Sequence, residues 1–284
     1  MDLEKPEKIE EFIIKILKNG PISAVSLIKQ VSLLRLRATK QAVYGALRKL
    51  KKSEIIVSHG KIVSLNSLWI NKMSDFFAEA KHHYSLSHVE AEGFLALEDG
   101  DKITYNFKEP GIADAFWGHA FDILGNVMEK SDPIYIYNPH EWFLVAREES
   151  ETALFKKFTN EKRQILVTVS GNTEIDKSMR KYFDGTYSQY YLSPVHLFKK
   201  PNYYLNIFGD YLIEAWIDEK TNEEIERFYK THSELNKESI KSLKNIIASQ
   251  GKNKISISRN KEKANKLKKM LGRDFYMIKN HSLT

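Results

Sequence analysis

The chain has 284 residues, no cysteine and a formal net charge of +7. That length admits two domains with a sizeable core, and the missing thiols exclude disulfides, thiolate metal sites and cysteine nucleophiles. No apolar run reaches the roughly 18 residues of a membrane span, and the opening MDLEKPEKIEE is too acidic for a secretory signal, so a cytoplasmic protein with no membrane partner is expected.

The charge is unevenly spread. Residues 1–72 carry 14 Lys and Arg against 6 Asp and Glu, residues 73–235 carry 17 against 28, and residues 236–284 carry 13 against 3. Two basic ends around an acidic middle suggest ends that meet phosphate and a middle with another task.

In chain order, residues 7–19 predict a helix with Ile9, Phe12, Ile13, Ile16 and Leu17 on one face, stopped by Gly20-Pro21. Ser23 can cap a second helix running through Val31, with Val25, Leu27 and Ile28 inward. Arg35 and Arg37 lie in the linker that follows. Thr39 is a candidate cap for a third helix ending near Lys52, in which Val43, Ala46, Leu47 and Leu50 share one face. The opposite face carries Lys40, Gln41, Tyr44, Arg48, Lys51 and Lys52, with no acidic residue. Residues 55–57 and 62–65 then read as two strands around the turn Ser58-His59-Gly60-Lys61.

A basic, hydrogen-bonding helix face followed at once by a hairpin is the helix-and-wing half of a winged helix. The helix fits the major groove of duplex DNA and the hairpin tip reaches a neighbouring phosphate or the minor groove. The expected DNA-contacting set is Arg35, Arg37, Thr39, Lys40, Gln41, Tyr44, Arg48, Lys51, Lys52, His59 and Lys61. The competing reading is an ordinary surface helix beside a hairpin. The run TKQAVYGALRKLKKSEIIVSHGKIVSLN resembles bacterial and archaeal winged-helix transcription regulators.

Residues 68–84 predict a further helix carrying Trp69, Ile70, Met73, Phe76, Phe77 and Ala80. It can connect two domains or pair with its copy, and a homodimer is expected, because two linked half-sites add affinity on a two-fold operator. His82, His83 and His88, with Glu90 and Glu92, bring histidines near carboxylates. Adjacent histidines diverge on a helix, however, and no metal site is expected.

Residues 101–235 alternate strand and helix patterns, which predicts an α/β sandwich with a mixed sheet. Strands are expected at 103–107, 134–137, 165–169, 190–192, 203–208 and 211–217, the last two joined at Gly209-Asp210. Helices are expected at 113–128, 149–160, 175–183 and from 223. The nearly all-apolar run 165–169 suits a strand covered on both faces. Asn138, His140, Glu141 and Trp142 follow a strand's carboxyl end and form a candidate ligand pocket. A strand-ending turn with Trp142 in the core is the alternative. The tyrosine-rich stretch 182–211 has only Lys199 and Lys200 close by, so it is not expected to bind single strands. Residues 236–284 predict a continued helix to 249, a strand at 254–258, a helix at 261–271 and a final strand at 275–278. They form either a solvated extension or a second phosphate-contacting patch.

The middle of the chain loosely resembles the phospholipase D-like fold that TrmB-type regulators use as an effector domain. The likeness rests on element order and on HLFKKPNYYLNIFGDYLIEAW. That superfamily's active-site motif is H-x-K-x(4)-D. Here Lys199 stands three places after His196 instead of two, Asp210 lies too far on, and no second copy occurs, so the resemblance implies a catalytically degenerate domain. The expected organisation is an α/β chain with a winged helix (1–67), a connecting or dimerisation helix (68–100) and an α/β effector domain with a basic extension (101–284). The expected function is a DNA-binding transcription regulator that senses a small-molecule or protein effector, with no catalysis and no cofactor. The alternatives are a phospholipase D-like phosphodiesterase or nuclease, and an antitoxin-like protein-binding regulator.

Overall fold

Apolar residues at three- and four-residue spacing draw three short helices around one small core near the amino terminus. The computed structural model describes residues 6–35, 38–91 and 93–278, with the backbone alone for residues 81–91. Two compact units emerge, residues 1–87 and 88–284.

The first unit runs α1 (Ile9–Leu17), β1 (Ile22–Ser23), α2 (Ala24–Leu34), α3 (Lys40–Lys52), β2 (Ile56–His59), β3 (Ile62–Leu65) and all but the last four residues of α4 (Ser67–Ala91). Ile13, Leu27, Val31, Val43, Leu47, Leu50 and Val63 close its core. The Ser23 and Thr39 hydroxyls accept from the backbone N–H groups of Ser26 and Ala42, capping α2 and α3 as expected. Gly60 turns the hairpin at φ +58°, a conformation that costs a side-chain-bearing residue about 1 kcal/mol. Two details differ from expectation. β3 pairs on its far side with the two-residue β1, too short to leave a pattern in the sequence. Val25 is 72% exposed, because it lies two residues before the inward Leu27 and so about 200° round the helix.

The second unit contains β4 (Lys102–Phe107), α5 (Pro110–Val127), β5 (Ile134–Asn138), α6 (Trp142–Ala146), α7 (Glu148–Asn160), β6 (Ile165–Val169), α8 (Glu174–Ser178), β7 (Ser188–Leu192), β8 (Tyr203–Phe208), β9 (Tyr211–Trp216), α9 (Glu219–Thr231), α10 (Lys237–Ile247), β10 (Asn253–Arg259) and α11 (Lys261–Leu271). Its mixed sheet has the order β4-β10-β9-β8-β5-β6-β7, with β5, β6 and β7 parallel and every other pairing antiparallel. The carboxyl ends of β4, β9, β5, β6 and β7 therefore share one edge. Alternation splits each strand between two cores. Ile134, Ile136, Val167, Ile213 and Ile255 pack against apolar residues of α5, α6, α7, α9 and α10, while Tyr137, Leu166, Leu205 and Leu212 pack against Ala264 and Leu271 of α11. The α/β class and mixed sheet are as the sequence predicts.

Three predicted elements are corrected. The closing helix from 223 to 249 is two helices, because Asn236 accepts from the N–H groups of Glu238 and Ser239 and restarts the helix. The expected strand 275–278 is not a strand. Its backbone is held instead by two side-chain amides, Gln164 and Gln189, which donate to the Tyr276 carbonyl and accept from Ile278 N and Tyr276 N. The basic segment 236–284 is no extension either, since β10 lies between β4 and β9. Among the described residues, no helix is long and apolar enough to cross a membrane.

Candidate functional site

Two places in the molecule gather the residues singled out from the sequence. The first lies between α3 and the β2–β3 hairpin. The helix buries Val43, Ala46, Leu47 and Leu50, so the period of 3.6 turns Lys40, Gln41, Tyr44, Arg48, Lys51 and Lys52 outward. The Gly60 turn brings Lys61 up opposite them. Tyr44, Arg48, Lys51 and Lys61 meet along one cleft of about 200 Å³, and no acidic residue lines it. Lys40, Gln41, Lys52 and His59 are exposed outside the cleft, Thr39 is used as the α3 cap, and Arg35 is half-exposed at the end of α2. Arg37 lies outside the described residues. Lys49, on the flank of the same helix, is taken by Glu10 at 2.9 Å.

The second place is the carboxyl edge of β5 and β6. Asn138, His140, Glu141 and Trp142 do come together there, but as buried core and not as the walls of an open pocket. His140 Nδ1 sits 3.0 Å from Asp176 Oδ1, and its Nε2 forms an ion pair at 3.3 Å with Glu226 Oε1. The imidazole stacks on Tyr229 with ring centroids 4.1 Å apart. Asn138 Nδ2 donates to Glu141 at 2.6 Å, and Trp142 Nε1 donates to the Tyr204 hydroxyl at 2.9 Å. Gly171 makes the approach possible, since a Cβ there would stand 2.2 Å from Asp176 Oδ2 and 2.5 Å from His140 Nδ1.

Burial pulls the His140 pKa down, yet hydrogen bonding and charge from Asp176 and Glu226 outweigh it and push the pKa up to about 9. The same contact, first through its hydrogen bond, lowers Glu226. Glu141 is pushed up to about 7 by burial. A short way along the core, Arg147 Nη1 donates to Asp114 Oδ2 at 2.6 Å. Burial raises Asp114 to about 6 against the pull of Arg147, and it raises the buried Glu151 well above its ordinary range.

No protein-family model matches this chain, and a search among curated proteins finds no match.

Both ring nitrogens of His140 are committed to carboxylates, so the protonated ring ties β5, α8 and α9 together and has no nitrogen free to take a proton from a substrate. Asp176 and Glu226 were not foreseen from the sequence. Thr173-x-x-Asp176, a capping box, was the one local signal for Asp176; Glu226 lies 86 positions after His140 and carried none. His196 and Lys199 are exposed, and His196 borders an open groove with Glu226, Arg227 and Lys230. Among the described residues, no group of three or more His, Asp and Glu is arranged to hold a metal ion. The side chains of His82, His83, His88 and Glu90, and all of Glu92, fall outside the described residues.

Proposed function

We propose that the chain is a DNA-binding transcription regulator without catalytic activity, its first unit a winged helix and its α/β unit a sensor of a small-molecule or protein effector. The observation that carries this reading is the cleft where Tyr44, Arg48, Lys51 and Lys61 converge without a carboxylate. Arg and Lys on an exposed helix reach guanine edges or phosphate, and a hairpin lysine reaches phosphate. The order helix, strand, helix, helix, hairpin supports it, since this is the order of a winged helix. Leu68, Phe76 and Phe77 on α4 are 74%, 59% and 64% exposed, which supports pairing with a second copy. Two linked subunits would read two half-sites at once. A regulator of this kind works in the cytoplasm.

The test is titration of a labelled duplex with the purified chain at several salt concentrations. Arg48→Ala with Lys51→Ala should weaken binding, each lost base-directed pair costing about 1–3 kcal/mol. Lys61→Ala should weaken specific and random duplexes equally and reduce the log–log salt slope by about 0.9 for its one phosphate. Full binding by the triple variant would sink the assignment.

A further inference from the structure

The strand register builds a row of side chains across the sheet. Asn106 on β4 opposes Lys254 on β10, Lys254 opposes Trp216 on β9, and Trp216 opposes Tyr203 on β8. Directly paired residues point to the same face. That face is the one that carries α11, whose Ala264 and Leu271 pack with Leu205 and Leu212. Asn106 and Lys254 stay exposed. Around the end of this row, the loop after β4 adds Lys108, and the loops leading into β8 and β10 add Lys200 and Lys252. An open groove of about 790 Å³ results.

Charge and geometry both favour an anion. Lys108, Lys200 and the Lys252–Lys254 stretch come from three separate segments, and among the described residues none of these lysines pairs with a carboxylate. Asp218 also borders the groove, but its oxygens accept from the backbone N–H groups of Lys220 and Lys252 at 3.1 and 2.9 Å. Those bonds lower its pKa and leave its charge engaged with the backbone. Glu219 is the other acidic residue in the lining. Gly251 is required here, because a Cβ would stand 2.5 Å from the Asp218 Cβ. Lys254 Nζ rests 4.1 Å from the Trp216 ring centroid.

We infer that this groove binds a small phosphorylated ligand of the nucleotide class, its phosphate held by the lysines and its flat base laid on Trp216. Ammonium groups bind phosphate as point charges, and any base offers a face to an indole. Lys254 leaves the ring for the incoming phosphate and uncovers the indole. The groove lies at the end of the sheet where β4 and β9 finish and β8 and β10 begin, and its size is that of a small-molecule site. A single strand uses the same chemistry but needs a basic track several nucleotides long, whereas these lysines surround one end of the sheet. The inference stands apart from the DNA-binding reading, because all its residues belong to the second unit.

The test uses the full-length chain and N-methylanthraniloyl-ADP, followed by fluorescence anisotropy. Saturable binding is expected, displaced by inorganic pyrophosphate and by unlabelled ADP. Lys252→Gln with Lys254→Gln should weaken it about tenfold or more, since charge-assisted contacts to phosphate are lost. Trp216→Phe should retain binding and Trp216→Ala should reduce it, with circular dichroism confirming that each variant is folded. The Arg48→Ala, Lys51→Ala protein should bind the nucleotide like the wild type, which separates this site from the cleft of the first unit. The inference is overturned by absence of saturation up to about 1 mM probe, or by wild-type affinity in the folded double lysine variant. It is overturned equally by an oligothymidylate that binds through these lysines where the nucleotide does not.

Discussion

Replacing His140 by Gln removes the cation held between Asp176 and Glu226. The two carboxylates keep the imidazole protonated up to about pH 9, against 6.5 for the free side chain. A group whose pKa rises on folding stabilises the fold fully below its unfolded value, and that contribution is lost as pH climbs through the folded value. At about 1.4 kcal/mol per pH unit, the interval from 6.5 to about 9 corresponds to roughly 3 kcal/mol. The lowered pKa of Glu226 describes the same contact from its other end and is not added. Glu141, raised to about 7, has its own effect at lower pH: its stabilisation is present below its unfolded value and is lost between about 4.5 and 7. Urea unfolding followed by circular dichroism between about pH 7 and pH 10 isolates the histidine. The wild type should lose about 2.5 kcal/mol more than His140→Gln across that interval, the part between 6.5 and 7 lying outside it. The variant should start lower at pH 7 and follow a flatter curve. Parallel pH dependences in the two proteins would refute the reasoning, because His140 is the one titratable group that the variant lacks.

Gly125→Ala should destabilise the second unit by about 1–3 kcal/mol, since the new Cβ lands 2.3 Å from Cζ of the fully buried Phe158; thermal unfolding measures it, and an unchanged midpoint would mean that the ring swings aside freely. Thr39→Ala should cost about 1 kcal/mol by leaving the Ala42 N–H of α3 without its cap; Thr39→Ser should restore most of it in the same urea titration. Ending the chain at residue 250 should abolish cooperative unfolding of the second unit, since it removes the strand paired to both β4 and β9. Limited proteolysis reports this directly, and a truncated chain as resistant as the full one would refute it.

What could be read from the sequence was whatever repeats locally. The four inward residues of α3, the Gly209-Asp210 turn and the nearly all-apolar β6 each carry their signal within a few neighbours, and all are found as expected. β1 failed because two residues cannot show a period. The 275–278 segment misled because its alternation is that of a strand, while its hydrogen bonds come from glutamine side chains more than 80 residues earlier. The same distance hid the sites. His140 was visible as a residue after a strand, but its meaning lies in Asp176 and Glu226, which the fold alone brings near. Likewise Trp216 lacks basic neighbours in sequence, and strand pairing supplies Lys254 from the other side of two helices.

The position of β10 also has a consequence in time. β4 is the first strand of its sheet to be synthesised and stands at the sheet edge with β10 as its one neighbour, 152 residues later at the Thr104–Ser256 pair. At a synthesis rate of about 5–20 residues per second, β4 waits roughly 8–30 s for that neighbour. During translation β9 likewise keeps an open edge on the side that β10 will fill. A nascent chain of this protein therefore carries unpaired edges on β4 and β9 until β10 emerges, which is the interval in which edge-to-edge association between neighbouring chains competes with folding.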